Sequence, residues 1–309
     1  MQERAANNHC DVLVIGGGPA GTTAATLLAR QGWQVTILEK DHHPRFHIGE
    51  SLLPANLDLL RRLGVAEQTA AIGLEKHAAE FVSPAHGGRM QRFEFCNAWE
   101  KTMPFAWQVK RAEFDKVLID NAVKNKVRVI EGCKVGKVAF ADDHATIAAT
   151  HDDGTAAFWT ARFVLDASGR DAFLANRMQS KFRNPRHNSS SLYAHFRGAE
   201  RYPGQAEGNT TIYWFAHGWF WFIPLSGGLT SVGAVVWPHY LKTRGSRDKK
   251  QFLLDTIAQC PPLAERLKAA EIATDVEATG NFSYASSRSH GARYLLVGDA
   301  YAFIDPVFS

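Results

Sequence analysis

The segment Asp11-Val-Leu-Val-Ile-Gly-Gly-Gly-Pro-Ala-Gly21 decides the fold of this chain. Its first five residues form an apolar strand, and the Ala- and Leu-rich run from Pro19 to Gln31 predicts a helix. Between them, Gly16, Gly18 and Gly21 form a G-x-G-x-x-G pattern. The first glycine permits the tight turn, the second lets the backbone approach a pyrophosphate, and the third allows close packing of helix on strand. The segment therefore predicts a phosphate-binding turn at a helix N-terminus.

The residues that follow complete a βαβ unit. Gln34 to Leu38 predicts a second strand, and Glu39 stands at its end, 23 residues after Gly16. A carboxylate at this position can accept hydrogen bonds from ribose hydroxyls. This context favours dinucleotide binding over an incidental glycine-rich turn, although it does not distinguish FAD from NAD.

The rest of the chain alternates helices and long strands. A stretch without charged side chains, 209–241, has the length of a membrane span, but its glycines, aromatic residues and β-branched residues favour a buried sheet. The pattern predicts helices at 55–72, 112–124 and 249–259 (the last ended by Pro261-Pro262), and strands at 126–135, 144–150, 155–165, 210–216, 219–224 and 229–236. A nucleotide domain with an inserted antiparallel sheet follows from this order.

Composition excludes several classes of function. Of 309 residues, 35 are Lys or Arg and 31 are Asp or Glu, and a net charge of +4 is too small to predict nucleic-acid binding. The histidines near residue 45 lack metal-ligand spacing, so we expect no metal. The four cysteines are far apart and predict reduced thiols in a cytoplasmic protein, with neither a disulfide framework nor a zinc site: Cys10, Cys96, Cys133 and Cys260.

Two later motifs resemble FAD-contacting segments of the aromatic-hydroxylase-like flavoproteins. They are Asp166-Ala-Ser-Gly-Arg170 and Leu296-Val-Gly-Asp-Ala300. The resemblance implies that Gly298 and Asp299 hold the ribityl and pyrophosphate part of FAD. Within the similar segment 108–115, Arg111 would reach the flavin, the alternative being a surface arginine at a helix start.

Three further segments resemble the flavin-dependent halogenases. They are Pro44-Arg-Phe-His-Ile-Gly-Glu-Ser-Leu-Leu-Pro54, Trp219-Phe-Trp-Phe-Ile-Pro224, which matches the W-x-W-x-I-P signature of that family, and Asp305-Pro-Val-Phe-Ser309. The resemblance covers essentially the whole chain. It is closer to halogenases of pyrrole and phenolic substrates than to those of free tryptophan.

The resemblance implies an α/β fold: a Rossmann-like FAD-binding domain with an inserted antiparallel β-sheet substrate domain. We expect the FAD-binding domain at 1–85, 105–185 and 285–309, and the substrate domain at 86–104 and 186–284. The cofactor-binding residues implied are Gly16, Gly18, Pro19, Ala20, Gly21, Glu39, Lys40, Ser51, Arg111, Val135, Gly298 and Asp299. Pro306 and Ser309 would belong to the halide loop.

The implied activity is halogenation of a small electron-rich aromatic substrate, free or bound to a carrier protein. FADH2 from a separate flavin reductase, O2 and a halide ion would generate hypohalous acid. No second dinucleotide motif is present in the sequence, which is why a separate reductase is expected. No nucleic-acid or membrane partner is expected.

The tryptophan motif has a physical consequence of its own. In a strand, Trp219 and Trp221 point to one face, and Ile223 continues it. The family resemblance adds Pro224 to the expected wall. A bulky wall of this kind would keep substrate from direct contact with flavin and suits a diffusing oxidant. The alternative is that these side chains are ordinary sheet core.

A lysine is the family's relay for hypohalous acid, and Lys76 occupies the matching place after the first predicted helix. The family commonly has Lys-x-Gly-Ala where this chain has Lys76-His-Ala-Ala, which leaves the turn around the lysine open. Burial would lower the pKa of the ammonium and raise its nucleophilicity. The alternative is a solvated lysine beside Glu75.

Two other functions stay open at the level of sequence. One is an FAD-dependent aromatic hydroxylase or geranylgeranyl-reductase-like oxidoreductase. The other is a truncated, non-catalytic FAD-binding fragment, suggested because Ser309 falls inside the motif that lines flavin and halide in the family.

Overall fold

A computed structural model of the chain describes residues 8–185, 187–280, 283–304 and 307. The proposed halide-loop residues Pro306 and Ser309 lie outside the described residues, as does Asp305.

The described residues form helices and strands over most of their length. The helices are α1 Pro19–Arg30, α2 Asn56–Leu63, α3 Ala66–Ile72, α4 Arg111–Lys124, α5 Phe173–Arg177, α6 Pro238–Lys242, α7 Lys249–Ala258 and α8 Pro261–Arg266. The strands are β1 His9–Ile15, β2 Val35–Leu38, β3 Leu74–Lys76, β4 Ala78–Ser83, β5 Arg89–Glu94, β6 Ala106–Gln108, β7 Arg128–Ile130, β8 Cys133–Phe140, β9 Ala145–His151, β10 Ala156–Asp166, β11 Lys181–Arg183, β12 Ser190–Arg197, β13 Thr210–Phe215, β14 Gly218–Pro224, β15 Leu229–Val236, β16 Glu271–Ile272, β17 Glu277–Gly280, β18 Tyr284–Ser286, β19 His290–Gly291, β20 Tyr294–Leu296 and β21 Ala302–Phe303.

The chain divides into two compact units. The first, called the nucleotide unit below, comprises the described parts of Met1–His47, Ala112–Arg183 and Tyr284–Phe303. The second, called the sheet unit, comprises the described parts of Ile48–Arg111, Asn184–Ser283 and Ile304–Ser309. This division differs from the predicted boundaries at 48–85 and 105–111, which lie in the sheet unit because β4 pairs with β13 and β6 pairs with β3.

The nucleotide unit is built on a sheet with the order β19-β20-β10-β1-β2-β7, and β9 and β8 extend it beside β10. The neighbours β20, β10, β1, β2 and β7 run parallel, whereas β9 and β8 are antiparallel. Apolar residues of α1 and α4 pack with strand residues such as Val14 and Ile37 in one core cluster. Both faces of the central strands are buried, as expected for a parallel sheet.

The sheet unit contains a sheet with the order β16-β12-β15-β14-β13-β4-β5, and β17 also pairs with β12. Its pairs are antiparallel except for β13 with β4. Side chains at alternate strand positions, including Phe220 and Phe222, pack with Phe252 and Leu253 of α7. Trp219, Trp221 and Ile223 therefore occupy the opposite face of the sheet.

The observed helices and strands differ from the predicted ones in three details. The predicted helix at 55–72 is two helices, because Gly64 adopts a left-handed conformation with φ +71° after α2. The predicted strand at 126–135 is interrupted at Gly132, where φ is +62° and an added Cβ would lie 2.4 Å from Asp152 Oδ2. Pro261-Pro262 follows the end of α7 as expected, but it also begins α8, since proline suits the first turn of a helix.

The tryptophan face gives a stability prediction at Gly233. A Cβ atom added at Gly233 would lie 2.2 Å from the ring of Trp221, so Gly233→Ala forces the buried indole to move. We expect the free energy of unfolding to fall by about 1–3 kcal/mol, the usual effect of overpacking. Gly136→Ala is the matched control, since its Cβ would meet only Ala148 O at 3.7 Å. Equal stability of the two variants in denaturant unfolding would contradict the expected clash.

Candidate active site

The glycine loop of the nucleotide unit combines two packed glycines with one open glycine. A Cβ added at Gly16 would lie 2.5 Å from Ala167 O, and one at Gly21 would lie 2.0 Å from Gly16 O. At Gly18 the nearest atom would be Arg45 Nη2, at 3.8 Å. Gly16 and Gly21 are thus needed for packing, whereas Gly18 leaves space in front of the loop.

Helix α1 begins at this open space. Gly18 is its N-cap residue, no side chain caps it, and Pro19 occupies the first turn. The backbone donors of a first turn have no partner within their own helix, so Ala20 and its neighbours can serve an anion. Gly298, at φ +60°, lies against the same turn: a Cβ added there would be 3.1 Å from Ala20 Cβ. The structure therefore brings the glycine loop and the Gly298-Asp299 motif together.

These loops share one edge of the parallel sheet. Ala167 N donates to Ile15 O and Val297 N donates to Asp166 O, each at 2.9 Å, where β1, β10 and β20 end. Ligands of α/β sheets bind at the carboxyl ends of the strands. Asp166 itself is buried and accepts from the backbone N–H groups of Ser168 and Leu174 at 3.0 and 2.6 Å, so it holds the loop that it begins.

Glu39 ties the end of β2 to the glycine loop. Its Oε2 accepts from Gly17 N at 2.5 Å, and its Oε1 accepts from Asp41 N at 2.9 Å. Glu39 is 4% exposed. Each carboxylate oxygen has a second lone pair, so these bonds leave acceptor capacity for a ribose hydroxyl.

Arg45 was not singled out from the sequence, yet it stands at this loop. Its guanidinium lies 3.1 Å from Asp115, 3.6 Å from Asp41 and 3.8 Å from Glu39. With Gly18 it lines the open space, where its positive charge suits a phosphate. The sequence feature that could have identified Arg45 is its position inside the 44–54 motif, directly after the βαβ unit.

The other predicted cofactor residues occupy varied settings. Lys40 pairs with Asp171 at 2.6 Å on the surface, and Val135 is buried in β8 beside Ala149 of β9. Arg111 belongs to the sheet unit and donates from Nη1 to Ile48 O at 2.9 Å, so it supports the backbone ahead of Glu50 and Ser51.

The arrangement in the nucleotide unit fits the diphosphate of FAD. An uncapped helix N-terminus, an open glycine position and a nearby guanidinium are the groups that such an anion requires. Glu39 supplies a buried acceptor at the end of the neighbouring strand.

Lys76 is the centre of the candidate site in the sheet unit. Its side chain is 1% exposed, although it is a lysine, and burial lowers its pKa to about 7. Its Nζ lies 2.8 Å from Ser51 Oγ and 5.3 Å from the centroid of the Phe95 ring. Glu75 points outward and pairs with His77 at 3.0 Å. The alternative of a solvated lysine beside Glu75 is therefore wrong.

The turn after Lys76 is held by one side chain. Asn209 Oδ1 accepts from the backbone N–H groups of His77 and Ala78, at 3.2 and 2.9 Å. Ala78, which stands where the family commonly has glycine, is fully buried. The departure from the family pattern is thus accommodated next to the lysine.

A chain of polar side chains continues from Ser51. Ser51 Oγ lies 3.2 Å from Thr210 Oγ1, which accepts from Gln108 Nε2 at 2.7 Å. Gln108 Nε2 also donates to Gly208 O at 3.0 Å. Ser51 was predicted to bind cofactor; in the structure its hydrogen bonds go to Lys76 and Thr210. Neither Thr210 nor Gln108 was identified from the sequence.

The face that bears Trp221 and Ile223 also receives the Gly49-Glu50-Ser51 segment. Thr210 shares this face, because it lies two residues before Ile212, which pairs with Trp221. At the other side, His195 pairs with Ser231, and Ser231 pairs with Ile223.

Glu50 makes the second attachment of that segment. Its Oε1 lies 2.6 Å from His195 Nε2, and both side chains are buried. Sequence reasoning missed this pair, since its two residues are far apart in the chain. Trp221 Nε1 donates to Ser231 Oγ at 3.1 Å on the same face.

The described residues carry no cluster of three or more His, Cys, Asp or Glu side chains that could hold a metal. His42, His43 and Glu50 pair instead with Asp152, Glu131 and His195. In the same part of the chain, no helix has the length and apolarity needed to cross a bilayer.

Comparisons with known proteins agree with these features. A family profile described as "FAD binding domain" matches residues 9–308. The chain is 35% identical to the "Tryptophan 2-halogenase" of Chondromyces crocatus, over 96% of this chain and 57% of that relative. It is 33% identical to the myxobacterial chondrochloren halogenase CndH, with a TM-score of 0.91 over 97% of this chain and 70% of that one. For a flavoprotein/dehydrogenase from Cytophaga hutchinsonii, the values are 32% identity and a TM-score of 0.90, over 96% and 73% of the two chains.

The chain belongs to the FAD-binding-domain family and, within it, to the flavin-dependent halogenases. The family and the α/β fold class predicted from the sequence are confirmed. The chain spans 57% and 63% of the length of two curated halogenases that it matches.

The buried lysine gives a prediction about stability and pH. The pKa of Lys76 is about 7 in the folded protein and 10.5 for an ordinary lysine, so between these values the unfolded chain binds a proton that the folded chain does not. The contribution of Lys76 to the free energy of unfolding therefore rises with pH across that window. Lys76→Met removes this dependence, and we expect it to stabilise the protein by up to about 4 kcal/mol near pH 7.

Denaturant unfolding of both proteins at several pH values measures this difference. The stabilisation should shrink as pH rises. A Lys76→Met variant that is less stable than the wild type near pH 7 would contradict a desolvated amine.

Proposed function

We propose that this chain supplies the FAD-binding and halogen-transfer parts of an enzyme that halogenates an electron-rich aromatic substrate. The observation that carries the proposal is the environment of Lys76. Its amine is buried, its pKa is lowered to about 7 by that burial, and in the described part of the chain no carboxylate forms an ion pair with it. An amine of this kind is partly neutral at pH 7 and hence nucleophilic.

FAD would be held by the nucleotide unit. The glycine loop and the first turn of α1 would face its diphosphate through Gly16, Gly18, Pro19, Ala20 and Gly21. Further contacts are assigned to Glu39, Lys40, Val135, Gly298 and Asp299, and Arg45 is added on its position beside Gly18. Ser51 and Arg111 are assigned to the cofactor on the family resemblance alone. When bound and reduced, FAD supplies the two-electron reduction of O2 that converts halide to hypohalous acid.

Lys76 would then accept the halogen. The neutral amine attacks the halogen of hypohalous acid, an N–halogen bond forms, the O–halogen bond breaks, and the departing hydroxide takes one N–H proton to form water. The aromatic substrate next takes the halogen from nitrogen and loses its ring proton, which restores the neutral amine. The sum of the two steps is replacement of an aromatic hydrogen by halogen with release of water.

The bulky face of the sheet unit suits a reaction delivered in this way. Trp221 is packed so closely that Gly233 has no room for a Cβ, and Trp219 and Ile223 are buried on the same face, which ends next to Pro224. We assign them to the wall of the substrate path. Pro306 and Ser309 are assigned to halide binding on the family motif alone.

The partners follow from the same chemistry. A separate flavin reductase would supply FADH2, because the sequence carries a single dinucleotide motif. The substrate would be a small electron-rich aromatic, free or bound to a carrier protein. A panel containing a pyrrole, a phenol and an indole separates the substrate classes.

An FAD-dependent hydroxylase or reductase is the second candidate function. The similarity to the flavoprotein/dehydrogenase from Cytophaga hutchinsonii favours keeping this alternative. Such an enzyme would consume NAD(P)H without an added reductase. The Lys76 variant described below separates it from a halogenase.

The glycine loop gives a prediction about cofactor affinity. Gly18 has an extended conformation, with φ −74° and ψ −176°, that valine also adopts. We expect Gly18→Val to fold and to lose FAD affinity by about tenfold or more, because its side chain fills the space for the diphosphate. Gly18→Ala should lose less. Fluorescence titration with FAD measures the affinity of both variants. A wild-type affinity of Gly18→Val would contradict the assignment of Gly18 to the diphosphate site.

The lysine gives a prediction about product formation. Lys76→Ala should keep FAD affinity and the oxidation of reduced FAD by O2, since neither needs an ammonium. Halogenated product should fall by at least about 100-fold, the lower range for loss of a group that acts in the chemical step. Lys101→Ala, an exposed lysine of the same unit, is the control. The halogenated product is measured by mass spectrometry after reaction with FAD, reductase, NADH and bromide. A normal product yield from Lys76→Ala would overturn the proposed role of Lys76.

A further inference from the structure

The hydrogen-bonded side chains beside Lys76 begin at Gln108, whose amide orientation is determined by its neighbours. Its side-chain amide lies 3.0 Å from Gly208 O, and a carbonyl oxygen only accepts hydrogen bonds. The amide atom facing that carbonyl must therefore be Nε2. The same nitrogen lies 2.7 Å from Thr210 Oγ1 and donates its second proton there. The orientation of the amide thus makes Thr210 an acceptor on this side.

The direction of the next two bonds follows from the available partners. Within the residues that the structure describes, the polar contacts of Thr210 Oγ1 are Gln108 Nε2 and Ser51 Oγ. Because the first of these donates, the buried Thr210 hydroxyl has Ser51 as the acceptor for its own proton. Ser51 Oγ then accepts from Thr210, and Lys76 Nζ, at 2.8 Å, is its other polar contact in the same part of the chain.

The protonation state of Lys76 decides whether every hydroxyl in this series of hydrogen bonds has both a donor and an acceptor. A neutral amine offers a lone pair to the Ser51 hydroxyl, so every hydroxyl of the chain both donates and accepts. An ammonium offers no lone pair, leaves the Ser51 proton without its acceptor, and has two further N–H groups with no hydrogen-bond acceptor among the described residues.

We propose that Gln108, Thr210 and Ser51 form a directed hydrogen-bond chain that holds Lys76 as a neutral amine. The three are positioning residues: they act on the reaction through Nζ, and their hydroxyl and amide groups are not consumed. This inference rests on the proposed function of Lys76 and deepens it, because the neutral amine is the form that takes up an electrophilic halogen.

The charged groups on the neighbouring segments do not replace this chain. Glu75 pairs with His77, Glu50 with His195, and Glu80 with Arg92 at 3.0 Å. Burial accounts for the lowered pKa of Lys76, and Phe95 contributes only a ring. The hydroxyls of Ser51 and Thr210 are therefore the groups through which the protonation of Nζ can be tuned.

Thr210→Val tests the direction of the chain. The Thr210 proton polarises the Ser51 O–H toward Nζ and weakens Ser51 Oγ as an acceptor for an ammonium. Without that proton the neutral amine loses support and the ammonium gains it, so the pKa of Lys76 should rise by about 0.5 to 1, which corresponds to at most one hydrogen bond. A chain running the other way predicts a fall, because Ser51 would lose the acceptor that directs it away from Nζ. Thr210→Ser keeps the hydroxyl and should restore the wild-type value.

Thr211→Val is the matched control. Thr211 is the next residue of the same strand, is equally buried, and bonds Glu80 and Arg266 on the opposite face of the sheet. It should leave the pKa of Lys76 unchanged. A loss of stability shared by both variants would not produce a rise in Thr210→Val alone.

The measurement is an NMR titration of the protein carrying carbon-13 at the lysine ε-carbons, with the Lys76 signal assigned by its loss in Lys76→Arg. A rise in Thr210→Val, absent in Thr210→Ser and Thr211→Val, supports the directed chain. An unchanged or lower pKa in Thr210→Val overturns it, as does an equal rise in Thr211→Val. The titration needs no halogenation, so failure of the Lys76→Ala product assay would defeat the proposed function and leave this result standing.

Discussion

Removal of water from one amine is the constraint on which the function proposed for the sheet unit depends. The unit places Lys76 against the Phe95 ring and the Ser51 hydroxyl, and it turns the neighbouring carboxylate of Glu75 outward. A lysine on a short strand would ordinarily extend into solvent. Here the desolvation is severe enough to bring its pKa to about 7, so the amine is partly neutral near that pH.

Two short sequence motifs cooperate to create this environment. The Gly49-Glu50-Ser51 segment is fastened to the sheet at two points, by Ser51 to Thr210 and by Glu50 to His195. The sheet face that receives it carries Trp221, whose indole fills the space left by Gly233. Motifs separated by about 170 residues thus form one packed surface, and the lysine lies at its polar end.

The nucleotide unit follows a different physical rule, in which close backbone approach is decisive. Gly16 and Gly21 permit the turn to pack against Ala167 and against itself, whereas Gly18 keeps its side open. Glu39 then fixes the loop by accepting from Gly17 N. The glycine loop therefore packs closely against its neighbours and still leaves the N-terminus of α1 open to an anion.

The sequence by itself determined the βαβ opening, the glycine roles, the antiparallel sheet with its tryptophan face, the family, and Lys76 as the lysine to examine. The βαβ opening, the glycine pattern and the sheet are local properties that glycine spacing and alternation along a strand reveal. The family and the choice of Lys76 followed from the resemblance of short motifs to the flavin-dependent halogenases. The tertiary structure alone decided that Lys76 is buried and that Glu75 is not, because burial depends on segments far away in the chain. It also decided the partners of Ser51, the Glu50–His195 pair, the position of Arg45 beside Gly18, and the assignment of 48–85 to the sheet unit. Each of these contacts joins residues whose distance in sequence gives no periodic signal, so only the folded chain brings them together.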